Sequence, residues 1–313
     1  MNPTLRPARL LIQALALCAL NATAHAQWTN ATRTADELHA QIEAHVTQPR
    51  FNAALWGVKV VSLDTGKTVF EHHADRLMSP ASNSKLYVGA LALDRFGGDY
   101  RIVTPVLATA PPDRRGKLKG DLIISGRGDP SWKLGAGATN FLAVFDPFVA
   151  VLTNAGIRRI TGDLVADATF FKGPPSGGSW TVDDLENSEG SEISALTLLD
   201  NMTELRSLPG EKPGAPCALA LAHPHTGLTL VNHTTTTTNG GPRHIEARRV
   251  FGETSLHVFG QLPLGGTNEF TDVPVPRPAQ WFANGLKAAL VHHGIRVDGQ
   301  ARSVRWPEAS ATG

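Results

Sequence analysis

The stretch Met78-Ser-Pro-Ala-Ser82-Asn-Ser-Lys85-Leu-Tyr-Val-Gly-Ala-Leu-Ala-Leu-Asp94 decides the reading of this chain. It sets a serine and a lysine three residues apart at the mouth of an apolar run. Residues i and i+3 share one face of a helix, so Ser82 would point its hydroxyl at the Lys85 amine. A serine alone is a poor nucleophile at neutral pH, and a deprotonated lysine amine can act as its base. Free N–H groups at a helix start can stabilise a developing oxyanion. These residues in this order outline serine acyl transfer, with Ser82 as nucleophile and Lys85 as general base.

The tetrad Ser-x-x-Lys is weak alone, because it also arises by chance where Ser82 or Ser79 caps a helix and Lys85 is solvated. Its surroundings argue the other way. Leu86, Ala90 and Phe96 fall near helical spacing, which predicts a buried helix. A lysine just inside a buried helix start is costly unless its charge is paired or removed. Ser-x-x-Lys also belongs to the signature set of penicillin-binding proteins and class A β-lactamases.

More of the chain carries the same signal. Leu77-Met-Ser-Pro-Ala-Ser-Asn-Ser-Lys85 is followed by Gly120-Asp-Leu-Ile-Ile-Ser-Gly-Arg-Gly-Asp-Pro130 and Ile160-Thr-Gly-Asp-Leu-Val-Ala-Asp167. Then come Ser194-Ala-Leu-Thr-Leu-Leu-Asp-Asn-Met-Thr-Glu-Leu-Arg206 with Pro209-Gly210, and finally Gly294-Ile-Arg-Val-Asp-Gly299. In this order the segments resemble the D-alanyl-D-alanine carboxypeptidase/endopeptidase family of low-molecular-mass class C penicillin-binding proteins. The resemblance implies an α+β fold: a β-lactamase/transpeptidase-like serine acyltransferase domain, here incomplete, with a large β-rich insertion after the Ser-x-x-Lys helix. It implies peptidoglycan stem peptides as substrates, β-lactams as inhibitors that acylate Ser82, and no metal or organic cofactor.

Two family motifs are missing. No serine has an asparagine two residues on, and Lys-Thr-Gly does not occur. His225-Thr226-Gly227 is a look-alike inside the inserted region, and Asp200-Asn201 follows Leu199 rather than serine. The chain is therefore expected to stop where the second half of the catalytic domain would begin. Each absent oxyanion donor would cost roughly 10²–10³ in rate, and an uncovered apolar face is expected. Poor stability, or a requirement for another polypeptide such as a missing C-terminal half, is expected.

Charge and leader set the compartment. Arg6 and Arg9 precede the apolar run Leu10–Leu20, and Ala24-His25-Ala26 is a cleavage site of the A-x-A kind, so residues 1–26 read as an export signal. That run is too short to span a bilayer, and no transmembrane helix is expected in the mature chain, which would be periplasmic or secreted. Of 29 basic residues the leader takes two, leaving 27 against 28 acidic ones, a balance that argues against a nucleic-acid partner. Of two cysteines only Cys217 lies beyond the leader, which excludes an internal disulfide.

The remaining pattern gives the organisation. Thr34-Ala-Asp-Glu37 is a capping box opening a helix with Leu38, Ile42 and Val46 on one face. Strand-like runs at 55–61 and 68–71 flank the turn Asp64–Lys67, a hairpin. After Asp99 short apolar runs alternate with Gly and Pro. Thr234–Thr238 reads as an exposed strand or loop, and Pro274–Pro278 opens a helix with Phe282, Leu286 and Leu290 on one face and Gly294 as C-terminal cap. The expected domains are 27–100 as the first part of the transpeptidase-like domain, 101–270 as the inserted β-rich region, and 271–313 as a returning segment, cut short. Gly126–Pro130 reads as a turn, the paired histidines as solvated, and Asp183, Asp184 and Glu186 as a polar loop. Two rivals remain open: a non-catalytic fragment that binds peptidoglycan or a partner, and a β-lactamase or esterase sharing the tetrad.

Overall fold

The computed structural model describes residues 34–250 and 252–312; the expected export signal lies outside them. The chain divides into two units, one ending at Gly98 and the other beginning at Asp99. Among the described residues no helix is long and apolar enough to cross a membrane.

In the first unit, helix α1 (Ala35–Val46) opens on the capping box read from the sequence. The Glu37 N–H donates to Thr34 Oγ1 at 3.2 Å, and the Thr34 N–H donates to Glu37 Oε2 at 3.0 Å. Two amide donors that a helix start leaves over are thereby satisfied. Strands β1 (Val58–Val61) and β2 (Thr68–His72) form an antiparallel hairpin. Its inward residue Phe70 is buried, with the His39 ring of α1 edge-on at 5.0 Å. Helix α2 (Ser84–Phe96) follows and ends at Gly97, whose φ of 76° suits a residue without a Cβ.

The second unit is built around a parallel sheet. Strands β3 (Val106–Ala108), β5 (Leu122–Ser125), β7 (Leu164–Asp167) and β15 (Ala301–Val304) run in the order β15-β7-β5-β3. The pairs β5–β7 and β7–β15 are parallel, and β3 is antiparallel. Parallel neighbours need a crossover, and helix α3 (Asp146–Asn154) supplies the one from β5 to β7. All residues of β5 and β7 are buried, as expected of parallel strands covered on both faces. Two-residue strands β4 (Lys117–Leu118), β6 (Arg159–Ile160) and β14 (Arg296–Val297) form a small parallel companion sheet.

Helix α4 (Pro278–His292) is the centre of this core. Phe282, Leu286 and Leu290 are fully buried on its inner face, as their spacing predicts, with Trp281 and Ala289 beside them. The Phe282 ring meets Phe145 and Phe148 edge-on at 5.3 and 5.4 Å. Gly285 lets the helix approach Phe145, because a Cβ there would lie 2.7 Å from the ring. The apolar face of this helix packs on the sheet that contains β7 and β15.

Two further sheets complete the unit. One contains β8 (Met202–Leu208), β9 (Ala218–Leu221) and β13 (Glu269–Pro274), in the order β13-β8-β9. The other contains β10 (Thr229–Thr237), β11 (His244–Arg249) and β12 (Ser255–Pro263), in the order β10-β12-β11. The threonine run lies on β10, but Thr234 and Thr236 are buried, which corrects the expectation of a wholly exposed segment. A strand turns alternate side chains inward. Their hydroxyls accept the amides of Cys217 and Gly210 at 3.0 and 2.7 Å, whereas the neighbouring Thr237 hydroxyl is buried without a partner.

Long-range bonds close the unit. Asp167 accepts from Thr169 N and Oγ1, from Ser310 Oγ at 2.7 Å and from the Ala311 N–H at 2.9 Å. Burial opposes ionisation of this carboxyl, but those four donors outweigh it and hold the group below the usual aspartate value. Its contribution to stability is therefore full above the unfolded value of about 4 and disappears as pH falls through the lower folded one. The difference in unfolding free energy between the parent and Asp167→Asn should be largest near neutrality and vanish in acid, followed by urea titration at several pH values; a pH-independent difference would contradict this assignment. Phe282→Ala should lower stability by about 3–5 kcal/mol, and a loss below about 1 kcal/mol would mean that α4 is not central to the core.

Candidate active site

Ser82 sits in a 3-10 turn, Ala81–Asn83, that runs directly into α2. This continuity puts Ser82 one turn ahead of Lys85 on the same side. The Lys85 ammonium donates to Ser82 Oγ at 2.9 Å. Ser84, between them, turns its hydroxyl back to the Ala81 carbonyl at 2.8 Å and stays out of the pair. The residue before Ser82 is strained: Ala81 has φ 43°, in the left-handed region that a Cβ disfavours. Such strain costs on the order of 1–3 kcal/mol and concentrates at functional turns.

The turn's other donors are partly used. The Asn83 amide donates to Pro80 O at 2.9 Å and the Ser84 amide to the Ala81 carbonyl. That leaves the Ser82 N–H as the nearest backbone donor for an oxyanion formed at its own side chain, fewer than a bare helix start would offer.

The expectation of a buried helix is not met by the described residues. No residue of α2 is buried, and Leu86, Leu91 and Phe96 are 73, 66 and 57% exposed. The hairpin's inward residue faces α1, so the apolar face of α2 is open. Ser82 and Lys85 are exposed as well. Covering this face would desolvate the amine and favour its neutral, basic form.

The look-alike motifs have structural roles. In His225-Thr226-Gly227, His225 has φ 65°, its carbonyl accepts from Asn284 at 3.4 Å, and Thr226 Oγ1 accepts the Leu228 amide. Within Gly126–Pro130, Asp129 accepts the Ser131 N–H at 2.9 Å, the bond of a polar turn. Asn201 is buried and pins its own loop, accepting from Leu198 N and donating to the Glu192 carbonyl. Asp184 accepts from Thr181, and Glu186 pairs with Arg248 at 3.2 Å. His223 contacts Thr203 Oγ1 at 3.1 Å, and burial pushes its imidazole below the usual value. Among the described residues no group of three or more His, Cys, Asp or Glu is placed to hold a metal.

A family model described as the D-Ala-D-Ala carboxypeptidase 3 (S13) family matches residues 38–312. The chain belongs to that family. It is similar to the D-alanyl-D-alanine carboxypeptidase of Actinomadura sp. (strain R39), with 30% identity over 269 residues, covering 84% of this chain and 48% of that protein. The penicillin-sensitive carboxypeptidase A of Dictyostelium discoideum is 23% identical over 262 residues, covering 77% of this chain and 48% of its own length. Among solved structures, penicillin binding protein 4 (dacB) from Haemophilus influenzae superposes with a TM-score of 0.68 at 20% identity, over 81% of this chain and 54% of that one. The S13 chain thus has the α+β, penicillin-binding-protein type of fold, and it spans about half the length of these relatives.

Sequence reading found the Ser82–Lys85 pair because its partners are three residues apart. It missed a cavity in the second unit, lined by Phe170, Arg277, Arg305 and Trp306, whose residues are separated by more than a hundred positions. An open α2 face makes a direct prediction. Leu86→Glu and Leu91→Glu should each change the stability of this chain by less than about 0.5 kcal/mol while reducing binding of a hydrophobic dye; a loss of several kcal/mol would show that the face is packed.

Proposed function

We propose that this chain carries the nucleophile of a serine D-Ala-D-Ala carboxypeptidase/endopeptidase, acting on peptidoglycan stem peptides in the periplasm or outside the cell. The observation that supports it is the 2.9 Å contact between Lys85 Nζ and Ser82 Oγ. With the amine neutral, Lys85 would take the hydroxyl proton as Ser82 Oγ attacks the carbonyl carbon of the penultimate D-alanine. The C–N bond then breaks, and the amine of the terminal D-alanine or of a cross-link leaves with the proton from Lys85. Water, deprotonated by the same amine, hydrolyses the ester and restores Ser82. A β-lactam would acylate the same oxygen by opening its ring amide. Lys85 and water carry every proton, so no step calls for a metal or an organic cofactor.

The open face of α2 bears on how much of this the chain does alone. Ser-x-Asn and Lys-Thr-Gly do not occur in this sequence, and Leu86 and Leu91 are exposed among the described residues. Full activity would require a cover for α2 that desolvates Lys85 and further oxyanion donors beside Ser82. The same exposure supports a second reading, a non-catalytic fragment whose separately cored second unit binds peptidoglycan or a partner.

Fluorescent penicillin distinguishes the readings. Covalent label on the folded chain, lost in Ser82→Ala, is the expected result, at a rate below that of a complete enzyme by roughly 10²-fold or more for each missing oxyanion donor. Folded chain that takes up no label would favour the inert fragment, and rapid turnover of free β-lactam would favour a β-lactamase.

A further inference from the structure

The second unit contains a cavity of about 820 Å³ whose lining comes entirely from that unit. This volume is in the range of sites for small ligands. Its walls are the segment after β7, the loop holding Glu192, the first turn of α4 and the segment after β15. Aromatic faces stand open on it: Phe170, Phe171 and Trp306 are 53, 40 and 43% exposed. Phe170 and Phe171 are also backed by neighbours. Gly128 lies so close under Phe171 that a Cβ would fall 2.5 Å from the ring, and the Arg127 guanidinium sits 4.9 Å from the Phe170 centroid.

Charge on the walls is mixed. Lys172, Arg277 and Arg305 line the cavity together with Glu192 and Glu308. Glu192 accepts the Arg277 N–H at 3.1 Å and stands 3.8 Å from Arg305. The first of these bonds holds Arg277 in a left-handed conformation, φ 53°, at the start of α4. Among the described residues neither the Arg277 guanidinium nor the Lys172 ammonium has an acidic partner.

We propose that this cavity binds a short peptide through its free carboxylate. Unpaired arginine and lysine side chains provide charge-assisted donors for such a group, and arginine matches its geometry in bidentate fashion. Three cations against two carboxylates suit a monoanion better than a phosphate dianion, which Glu192 and Glu308 would repel. The same two carboxylates can accept peptide N–H groups, and the aromatic faces can take an apolar side chain. Nothing in this assignment depends on the chemistry at Ser82.

Amide NMR titration of the intact chain tests it with the tripeptide acetyl-Ala-Phe-Ala, its C-terminal amide, and inorganic phosphate as probes. The acid form should shift the signals of Phe170–Gly173 and Arg305–Glu308 at millimolar concentration. Amidation, Arg277→Gln and Lys172→Gln should each weaken binding by about tenfold, while Ser82→Ala leaves it unchanged. Lys172→Gln guards against an Arg277 variant that disturbs the start of α4. Equal response to acid and amide, tighter binding of phosphate, or no shift at these residues would overturn the proposal.

Discussion

An amine held against a hydroxyl is the contact on which the functional account depends. It is made by very little structure: a 3-10 turn feeding a helix, with three residues between donor and acceptor. Such a contact is necessary for base catalysis and does not suffice for it. Proton transfer requires a neutral amine, and an acyl intermediate requires donors aimed at the oxyanion. Both come from surroundings, and α2 has few: its apolar face is open and most turn amides near Ser82 already bond to carbonyls. On this reading the pair supplies the activation of Ser82, and what covers the helix sets how far that activation goes.

The second unit is organised on the opposite principle. Its helix α4 is enclosed by a parallel sheet, by α3 and by the aromatic cluster of Phe145, Phe148, Trp281 and Phe282. Chain segments more than a hundred residues apart are tied by buried or charged bonds. Asp167 reaches Ser310, and Asp163 accepts from Gln300 and Arg302, which keep its carboxyl below the usual range. This unit buries a large apolar core, whereas no residue of α2 is buried among the described residues.

Local chemistry made part of this legible in sequence. Thr34 and Glu37 specify a cap through bonds within one turn. Phe282, Leu286 and Leu290 mark a face by spacing alone, and Ser82–Lys85 is likewise an i, i+3 relation. What sequence left hidden depends on partners far along the chain. Periodicity makes α2 amphipathic but carries no information about which segment covers it. Helix α3 escaped notice because Phe141–Leu152 is almost continuously apolar, and such a run has no visible period. Thr236 reads as polar surface until the Gly210 amide is placed against its hydroxyl. Helix α4 shows the same limit: its apolar face is legible in the spacing of Phe282, Leu286 and Leu290, but the sheet it packs on is not.

The most direct test of the central claim is the rate at which a fluorophosphonate modifies Ser82, compared between the parent chain and Lys85→Ala. The two chains share the same oxyanion donors, so the ratio of their rates isolates the activation of the hydroxyl. The account predicts modification confined to Ser82 and slowed about 10²-fold or more without the amine. Equal rates in the two chains would show that Lys85 only decorates the helix, and that Ser82 is an ordinary surface serine.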